Sequence, residues 1–447
     1  MADSDLADIA LRLCKKRGAE QADALLIRQQ EKAASVFNQQ VQLSGANETQ
    51  RMIVRVFRDH RGAVIHGNVN SEELLETLVN NVFGILQHTS QDKYLGGAES
   101  SEAGDNAATL GLYDERLAQL SLNRVEEIAL AAEQRIKERE NRTENLITAN
   151  LQVQTQTVTL RTSAGFSGSY QHTLATLLAN AAMDQPDQRS LLGTAATVTR
   201  SFDGLDLAKT AERAVQQLTR MIGTRPAPAG EFPVVFAPTS ARSIAAMLFQ
   251  MCSGPATVFV ETLSLGKIGD PVCSTHLTLV DDATRKNGIG SAPFDHEGVK
   301  PARKIVIEKG VLKDYLLNSY YGRSLKRNST GNAVANGDAR FGVRHTNAYI
   351  ETGDTNPDDI VADVKRGFLV TRFLSPSMPL SVNFTQAVEG FWIEDGKVSY
   401  PVRAAAIAAP LRGMLEGVVA VGNDLDTDAA LSSPTLLVNK MNVSSLM

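Results

Sequence analysis

The sequence has little cysteine and no long apolar run, and both absences limit where the protein can function. Its three cysteines, Cys14, Cys252 and Cys273, are too scattered for a disulfide framework, and none belongs to a CxxC pair. No apolar stretch approaches the roughly 18 residues of a membrane helix. Three acidic residues precede the first basic one, unlike a secretory signal. We therefore expect a soluble cytoplasmic protein without a membrane partner.

Positive charge is also scarce. The 45 basic residues are outnumbered by 50 acidic ones, which gives a formal net charge of -5 and an isoelectric point near 5.9. Tight nucleic-acid binding usually needs a surplus of lysine and arginine, so we expect no nucleic-acid partner. The remaining composition, 43% apolar and 21% charged, is typical of a globular protein with a substantial core.

Proline is nearly absent from the first half of the chain. Pro186 is the only proline in residues 1–225, whereas the other fourteen of the 15 prolines follow. The proline-rich segment 223–233 comes after a helical pattern and before an apolar run, as a stiff connector would. We therefore predict an N-terminal domain over residues 1–222, a linker over 223–233 and a C-terminal domain over 234–447.

The N-terminal half alternates between helical and strand-like patterns. Apolar residues at helical spacing predict helices over Leu6–Cys14, from the capping-box pair Asn70 and Glu73 to Leu86, over Val125–Ile136 and over Leu205–Ile222. Strand-like runs cover Ala24–Arg28, Ala34–Val41, Met52–Phe57, Ala63–His66 and Leu151–Leu160. These elements predict an α+β fold that starts with an α/β domain, in which flanking helices cover a mixed sheet.

The C-terminal half contains mostly strand and turn signals. One helix is predicted over Ser240–Met251. Two glycine-bearing turns between alternating runs predict hairpins over Ile305–Tyr315 and Phe391–Tyr400. We therefore predict a mostly antiparallel β domain here.

Motifs for self-contained catalysis are weak. None of the seven histidines is paired with another at the spacing of a helical zinc site, and His296-Glu297 begins an HExxH pattern that is not completed. Ser264 and Lys267 fit the SxxK spacing of a serine nucleophile with a lysine base. The companion motifs are missing and Gly266 weakens the helix that would present the pair. These two observations favour a structural role for Ser264 and Lys267.

Acidic residues form the richest polar cluster. Asp281 and Asp282 follow an apolar run, and Asp295 and Glu297 flank His296. Four such carboxylates could bind a hard cation. The alternative, which we favour, is that they cap a strand end and accept hydrogen bonds from backbone groups in a loop rich in glycine and proline.

Several ordered blocks of the C-terminal half resemble the TldD/PmbA family. The blocks are Leu277-Thr-Leu-Val-Asp-Asp282, Gly290-Ser-Ala-Pro-Phe-Asp-His-Glu-Gly298, Val311-Leu-Lys-Asp-Tyr-Leu-Leu-Asn-Ser-Tyr320, Ser329-Thr-Gly-Asn332, Gly390-Phe-Trp-Ile-Glu-Asp-Gly-Lys-Val-Ser-Tyr-Pro-Val402 and Val421-Gly-Asn-Asp-Leu425. They extend over about residues 230–440, and the N-terminal element order agrees more loosely. Members of this family are often described as modulators of DNA gyrase and resemble an intracellular zinc protease that acts on unfolded peptides.

The resemblance implies a chain without its own zinc. In the TldD branch, an HExxxH motif lies on the first helix of the C-terminal domain, and a cysteine follows near the C-terminus. The matching helix here is Ala245–Gly254, in which Phe249, Gln250 and Gly254 take the three motif positions. Phenylalanine and glycine have no side-chain lone pair, and glutamine cannot act as a general base. The chain therefore resembles PmbA, also called TldE, with no cofactor of its own and zinc in a TldD-like partner.

One departure from the family pattern is found ahead of Gly390. Thr385-Gln386-Ala387 replaces the usual Ser-Arg-Gly, which removes a cation and a flexible glycine.

The resemblance assigns Asp281, Asp282, Asp295, Glu297 and Asn332 to the structure or lining of a peptide chamber.

Three functions follow from these patterns. The first is the non-catalytic subunit of a heteromeric metalloprotease that processes unfolded peptides with a TldD-like zinc subunit. The second is a homo-oligomer, such as a homodimer, that binds peptides or another protein without catalysis. The third is an independent hydrolase that uses Ser264 or a carboxylate-bound metal.

Overall fold

The computed structural model describes residues 3–99, 107–140, 147–185, 188–259, 265–374, 382–426 and 428–446. The helices are α1 Asp3–Lys16, α2 Glu72–Leu86, α3 Glu115–Ala118, α4 Leu122–Arg139, α5 Leu207–Thr219, α6 Pro238–Met251, α7 Gly254–Phe259, α8 Ser319–Ser324, α9 Pro357–Ala362 and α10 Leu411–Glu416. Within this part of the chain, every helix is too short or too polar to span a membrane.

The strands divide between the two halves of the chain. The first six are β1 Gln21–Phe37, β2 Gln40–Arg58, β3 Arg61–Asn68, β4 Ile147–Thr162, β5 Ser167–Gln185 and β6 Gln188–Thr199. The others are β7 Gly230–Phe236, β8 Leu279–Asp282, β9 Arg303–Glu308, β10 Val311–Leu312, β11 Ala333–Val334, β12 Gly342–Val343, β13 Ala348–Ile350, β14 Arg366–Phe373, β15 Asn383–Glu394, β16 Lys397–Pro410, β17 Val418–Val421, β18 Leu431–Ser432 and β19 Leu436–Ser445. Helices and sheets together confirm the predicted α+β class.

The N-terminal half is built on one six-stranded sheet with the order β3-β2-β1-β4-β5-β6. All of its pairs are antiparallel, so the prediction of a mixed sheet is wrong. Short connections join the strands within the sets β1–β3 and β4–β6, and such connections make successive strands run in opposite directions. Helices α1 and α2 pack with β1, β2 and β3 in one apolar cluster, and α4 and α5 pack against the far end of β1 and against β4, β5 and β6.

The C-terminal half contains a closed β-barrel. Its sheet has the order β16-β15-β14-β7-β19-β17, and an additional pairing of β16 with β19 closes the circuit. The pair β7 and β14 is parallel, whereas the other pairs in this sheet are antiparallel, so the predicted mostly antiparallel domain is confirmed. Apolar residues of α6 share one core with the barrel and with the five-stranded sheet β10-β9-β8-β13-β18.

The two halves are joined by a short connector and by direct contacts. Strand β7 begins at Gly230, inside the predicted linker 223–233, and the N–H of Arg225 donates to the carbonyl of Pro401 at 2.9 Å. Leu25 and Ile53 of the N-terminal sheet share a buried apolar cluster with Phe294 and Phe341 of the C-terminal half. The C-terminal half therefore covers part of one face of the N-terminal sheet.

Most predicted elements are present, with shifted ends. The five predicted helices correspond to α1, α2, α4, α5 and α6, and both hairpins form. The cap of α2 is Ser71 rather than Asn70, because the Ser71 hydroxyl accepts the N–H of Leu74. The runs predicted as two strands before residue 41 belong largely to the single strand β1.

Candidate functional site

Two of the three residues that the resemblance matched to the zinc motif, Phe249 and Gln250, lie at the C-terminal end of α6. Pro238 starts this helix, where its missing N–H is tolerated, and the helix ends at Met251. Phe249 is buried in the core, whereas the side chain of Gln250 is exposed. The prediction that Gly254 lies on the same helix is wrong, because Gly254 begins the separate helix α7.

Gly254 is packed against an aromatic side chain. A Cβ atom at Gly254 would lie 2.5 Å from both Cβ and Cγ of Tyr321, which is closer than real contacts allow. Tyr321 is buried beneath Tyr320 and Phe259, with ring centroids at 5.0 and 5.8 Å. A histidine therefore does not fit at this position unless Tyr321 moves.

These residues do not fit a zinc ion. Phe249 and Gly254 carry no donor atom, and the exposed amide of Gln250 is not a usual zinc ligand. Across the part of the chain that the structure describes, no group of three His, Cys, Asp or Glu side chains is arranged to hold a metal ion. Burial raises the pKa of the Cys273 thiol to about 12, which disfavours a metal-binding thiolate there.

Asp281 is the centre of a buried polar network on β8. Its side chain accepts the N–H of Thr346 at 2.6 Å and the ammonium of Lys304 at 3.1 Å. The amide of Asn332 donates to the same carboxylate at 2.9 Å, and its own oxygen accepts from Lys304 at 3.0 Å. Asp282, the next residue, accepts the N–H of Thr284 at 2.9 Å. The network thus connects four segments: β8, β9, the residues before β11 and the residues before β13.

Asp295 orders the loop that follows. Its carboxylate accepts backbone N–H groups of Glu297, Val299 and Ala333, each at 2.9 Å. Burial, and secondly the nearby Glu297 carboxylate, raise the pKa of Asp295 to about 7 against the opposite effect of these donors. This geometry matches the backbone-binding alternative that the sequence favoured over a cation site.

Glu297 connects the two halves of the chain. It accepts the guanidinium of Arg55 at 2.9 Å and the N–H of Ser319 at 2.8 Å, and its side chain is fully buried. Arg55 also donates to Asp23 at 2.9 Å and lies 3.8 Å from the ring centroid of Phe341. One buried arginine of the N-terminal sheet therefore bridges two buried carboxyl groups, one from each half of the chain.

A small cavity of about 70 Å³ adjoins these networks. His296, Asn332, Arg344 and His345 contribute to its lining. The ring of His345 also lies 6.0 Å from that of Phe249, centroid to centroid, so it stands between α6 and the cavity. Burial, and secondly Arg344, lower the pKa of His296 to about 4. Its neutral Nδ1 accepts the N–H of Ala335 at 2.9 Å.

The other candidate residues lie apart from this cavity. Ser264 lies outside the described residues, and Lys267 is exposed in a loop rather than on a helix. Thr385-Gln386-Ala387 forms regular β15 backbone paired with Ile407 and its neighbours, and Gln386 is buried there.

Sequence reasoning did not identify Arg55, Tyr321 or His345 as part of this region. Arg55 lies 242 residues from Glu297 along the chain, and no local pattern marks such a pair. An arginine within the otherwise apolar strand Met52–Phe57 was the available signal, because a buried charge needs a partner.

The fold joins a long antiparallel sheet to a β-barrel, and comparison with family profiles places the chain among PmbA/TldA metallopeptidase-like proteins. The profile of the PmbA/TldA metallopeptidase central domain matches residues 115–222, and that of the C-terminal domain matches residues 229–445. The chain belongs to the PmbA/TldD family. This confirms the resemblance found in the sequence.

Individual relatives agree with this assignment. The metalloprotease PmbA of Escherichia coli O157:H7 is 25% identical over 401 residues, which cover 88% of this chain and 85% of that protein. A PmbA homologue of Buchnera aphidicola is 28% identical over 237 residues, 53% of this chain, and the match spans only 50% of that relative's own length.

Solved structures share the whole fold. A protein from Bacteroides thetaiotaomicron described as a modulator of DNA gyrase superimposes with a TM-score of 0.88 at 22% identity, covering 99% of both chains. TldE from Thermococcus kodakarensis superimposes with a TM-score of 0.83 at 19% identity, also covering 99% of both chains. At these identities the likeness concerns the fold.

Proposed function

We propose that this chain is the zinc-free subunit of a two-component metallopeptidase that acts on unfolded peptides. The observation that carries the proposal is the state of the motif positions on and after α6. Phe249 is buried, Gln250 cannot act as a base, and Tyr321 fills the space beside Gly254. A TldD-like partner would supply the zinc ion, its water and the general base.

The buried polar networks support a structural contribution of this subunit. Asp281, Asp295, Glu297 and Asn332 are all buried, and each is engaged in hydrogen bonds to the protein. Satisfied buried networks make a wall rigid and are not free to activate water. We infer that these residues support the wall of a peptide chamber from behind and do not contact the peptide.

Reconstitution with a purified TldD-like partner tests this proposal. We expect the mixture to cleave an unfolded, fluorescence-quenched peptide faster than the partner alone, and a zinc chelator to abolish the cleavage. This chain alone should release no product with or without added zinc. Equal cleavage by the partner in the presence and absence of this chain would contradict the proposal.

One observation favours the alternative of a homo-oligomeric binding protein. The outer part of β2, Gln40 to Thr49, pairs with β1 but with no other described strand along its second edge. This edge contains neither lysine nor proline, and Leu43 on it is 73% exposed. Unprotected edges of this kind promote pairing between chains. Light scattering of the isolated chain, with and without a TldD-like partner, distinguishes a stable homodimer from a subunit that exchanges into a hetero-oligomer.

A further inference from the structure

A second, larger cleft lies between the two halves of the chain. It has a volume of about 350 Å³, within the range of small-ligand sites. Four consecutive residues of β6, Ala196–Thr199, form part of its lining, and Arg242 of α6 forms another part. Asp426, Asp428 and Ala429 from the segment before β18 complete this side. The cleft is separate from the cavity beside His345.

The strand that lines the cleft has an open edge. Strand β6 is the last strand of the N-terminal sheet and pairs only with β5 among the described strands. Upstream of the cleft, the N–H of Thr194 donates to the side chain of Gln217 at 2.7 Å, which closes that part of the edge. From Ala196 onward, β6 offers a short edge to which an extended peptide can add by backbone hydrogen bonds.

Four aspartates and three cations line the cleft, and each of them except Arg242 has a hydrogen-bond or ion-pair partner in the described protein. Three aspartates are held by cations: Asp203 by Arg116 at 2.7 Å, Asp426 by Arg213 at 3.0 Å and Asp428 by Lys209 at 3.3 Å. Asp206 caps α5 by accepting the N–H of Lys209 at 2.9 Å. Arg242 has no hydrogen bond or ion pair to any group that the structure describes, and its Nε is shielded from solvent. A shielded guanidinium N–H without an acceptor is unfavourable.

We propose that this cleft binds the carboxyl-terminal end of an extended peptide. Backbone groups of the peptide pair with the open edge of β6, and its terminal carboxylate accepts from the guanidinium of Arg242. Carboxylate is the planar acceptor that a guanidinium binds best, and the strand edge selects a peptide over a simple anion. The inference rests on the proposed function in taking a peptide as the ligand.

The position of Arg242 connects this cleft with the altered motif. Arg242, Ala246 and Gln250 are spaced four residues apart on α6, and all three are at least partly exposed. At 1.5 Å per residue, Arg242 and Gln250 are about 12 Å apart along the helix axis. A peptide whose carboxylate binds Arg242 therefore lies beside a partly exposed row of α6 side chains. This row ends at Gln250, the residue matched to the family's glutamate.

Binding of labelled peptides to the isolated full-length chain tests the inference. The probe is a short unstructured peptide with an amino-terminal fluorophore and a free carboxyl terminus, compared with the same peptide carrying a terminal amide. We expect the amide to bind about tenfold more weakly or worse, because a charge-assisted bond is lost. Arg242→Gln should weaken the free acid by the same factor and leave the amide unchanged, while Arg242→Lys keeps part of the preference.

The matched control is Arg135→Gln, a substitution of an exposed arginine on α4 that does not line the cleft, and this variant should bind both peptides as the unsubstituted chain does. Circular dichroism confirms that each variant is folded. A third peptide, N-methylated at alternate amides near its carboxyl end, should bind more weakly because it cannot complete the strand pairing.

Two results would overturn the inference. One is equal affinity of the unsubstituted chain for the acid and the amide, and the other is unchanged acid binding by Arg242→Gln. Equal binding of the N-methylated peptide would show that the peptide does not add as a strand to the edge of β6. These measurements need no partner, so partner-dependent cleavage can still succeed when carboxylate recognition fails, and the two proposals are separable.

Discussion

Arg55 is a buried residue that joins the two halves by an ion pair. Its side chain is 1% exposed, and it is bound to both Asp23 and Glu297, which are themselves buried. Arg55→Met would leave two carboxylates without a cation in a shielded site. We expect the free energy of unfolding to fall by about 3–5 kcal/mol, the range for breaking a buried ion pair from one side. Urea titration measures this loss.

An exposed arginine provides the control for this prediction. Arg124 on α4 forms an ion pair with Glu127, one turn away on the same helix surface, at 2.6 Å. Both side chains are more than half exposed, so solvent screens the pair and Arg124→Met should lower stability by less than about 1 kcal/mol. Similar losses in the two variants would show that the Arg55 contacts do not stabilise the fold beyond a surface pair.

His296 makes stability depend on acidity. Its folded pKa of about 4 lies below its ordinary value of 6.5, so the unfolded chain binds the proton more readily. The contribution of the neutral ring is complete above pH 6.5 and is lost as pH falls toward 4. The ring is half-buried, so we expect a loss of at most about 2 kcal/mol over this range.

Comparison with His296→Gln isolates this contribution. Glutamine does not titrate, so the difference in unfolding free energy between the variant and the unsubstituted chain should shift in favour of the variant between pH 6.5 and pH 4. The nearby Asp295 has a raised pKa, so its effect on stability with falling pH is opposite to that of His296. Because Asp295 is present in both proteins, its contribution cancels to first order in the difference between them. A difference that is constant with pH would contradict the assigned neutral state of His296.

Among these residues, only those whose contacts lie within a few positions along the chain could be predicted from the sequence. Asp295 is followed by Gly298 in a turn-rich loop, and its hydrogen bonds to Glu297 and Val299 span only a few residues. Such contacts follow from short-range turn rules. The pair of Arg55 and Glu297 depends on how two halves dock, so burial of a charge could be suspected from the sequence but its partner could not.

At the scale of the element, Gly390 shows how closely barrel strands approach. A Cβ atom at this position in β15 would lie 1.9 Å from the carbonyl oxygen of Leu369 in β14. Because the opposing atom belongs to the backbone, Gly390→Ala must displace one strand. We expect it to lower the free energy of unfolding by more than about 2 kcal/mol. Thermal or urea unfolding of the purified variant measures the effect.

Gly45 in β2 is the matched control, because it is also a strand glycine and no heavy atom lies within 4 Å of the position that a Cβ atom would take there. Gly45→Ala should change stability by no more than about 0.5 kcal/mol. An equal effect of both substitutions would mean that backbone freedom, and not the approach of β14, accounts for the loss at Gly390.

Periodicity predicted the helices and the tight hairpins but not the full sheet. The Glu-Asp-Gly turn between β15 and β16 is a strong hairpin signal, and Asp395 and Gly396 there do have positive φ angles of 49° and 72°. Strand β5 was not predicted. Its buried positions include Ala175, Ala179 and Ala181, and alanine favours helices in isolation. Pairing with β4 and β6 overrides that preference.

At the scale of the whole molecule, the division at residues 223–233 stays a prediction about domains, because extensive contacts cross it. Arg323 of α8 donates to the carbonyls of Tyr94, Gly96 and Gly97 at 2.8–3.0 Å. Arg200 donates to the carbonyl of Ile289 at 2.6 Å. With the apolar cluster around Phe294, these contacts should make the two halves unfold together.

The single tryptophan allows this cooperativity to be measured. Trp392 is buried in the C-terminal core and its fluorescence reports on that half, whereas far-ultraviolet circular dichroism reports on both halves. We expect coincident urea midpoints for the two signals in the unsubstituted chain. In the double variant Arg200→Ala with Arg323→Ala, part of the dichroism should be lost at lower urea than the fluorescence, because the N-terminal half loses the hydrogen bonds that these two arginines make with the other half.

Arg303→Ala is the control for this separation, since Arg303 and Glu351 form an exposed ion pair within the C-terminal half at 3.0 Å. Its two signals should remain coincident. Distinct midpoints in the unsubstituted chain would instead show that the halves are stable independently. The contacts of Arg55, Arg200 and Arg323 would then orient the halves without coupling their stability, and the cleft beside Arg242 could open as they move relative to each other.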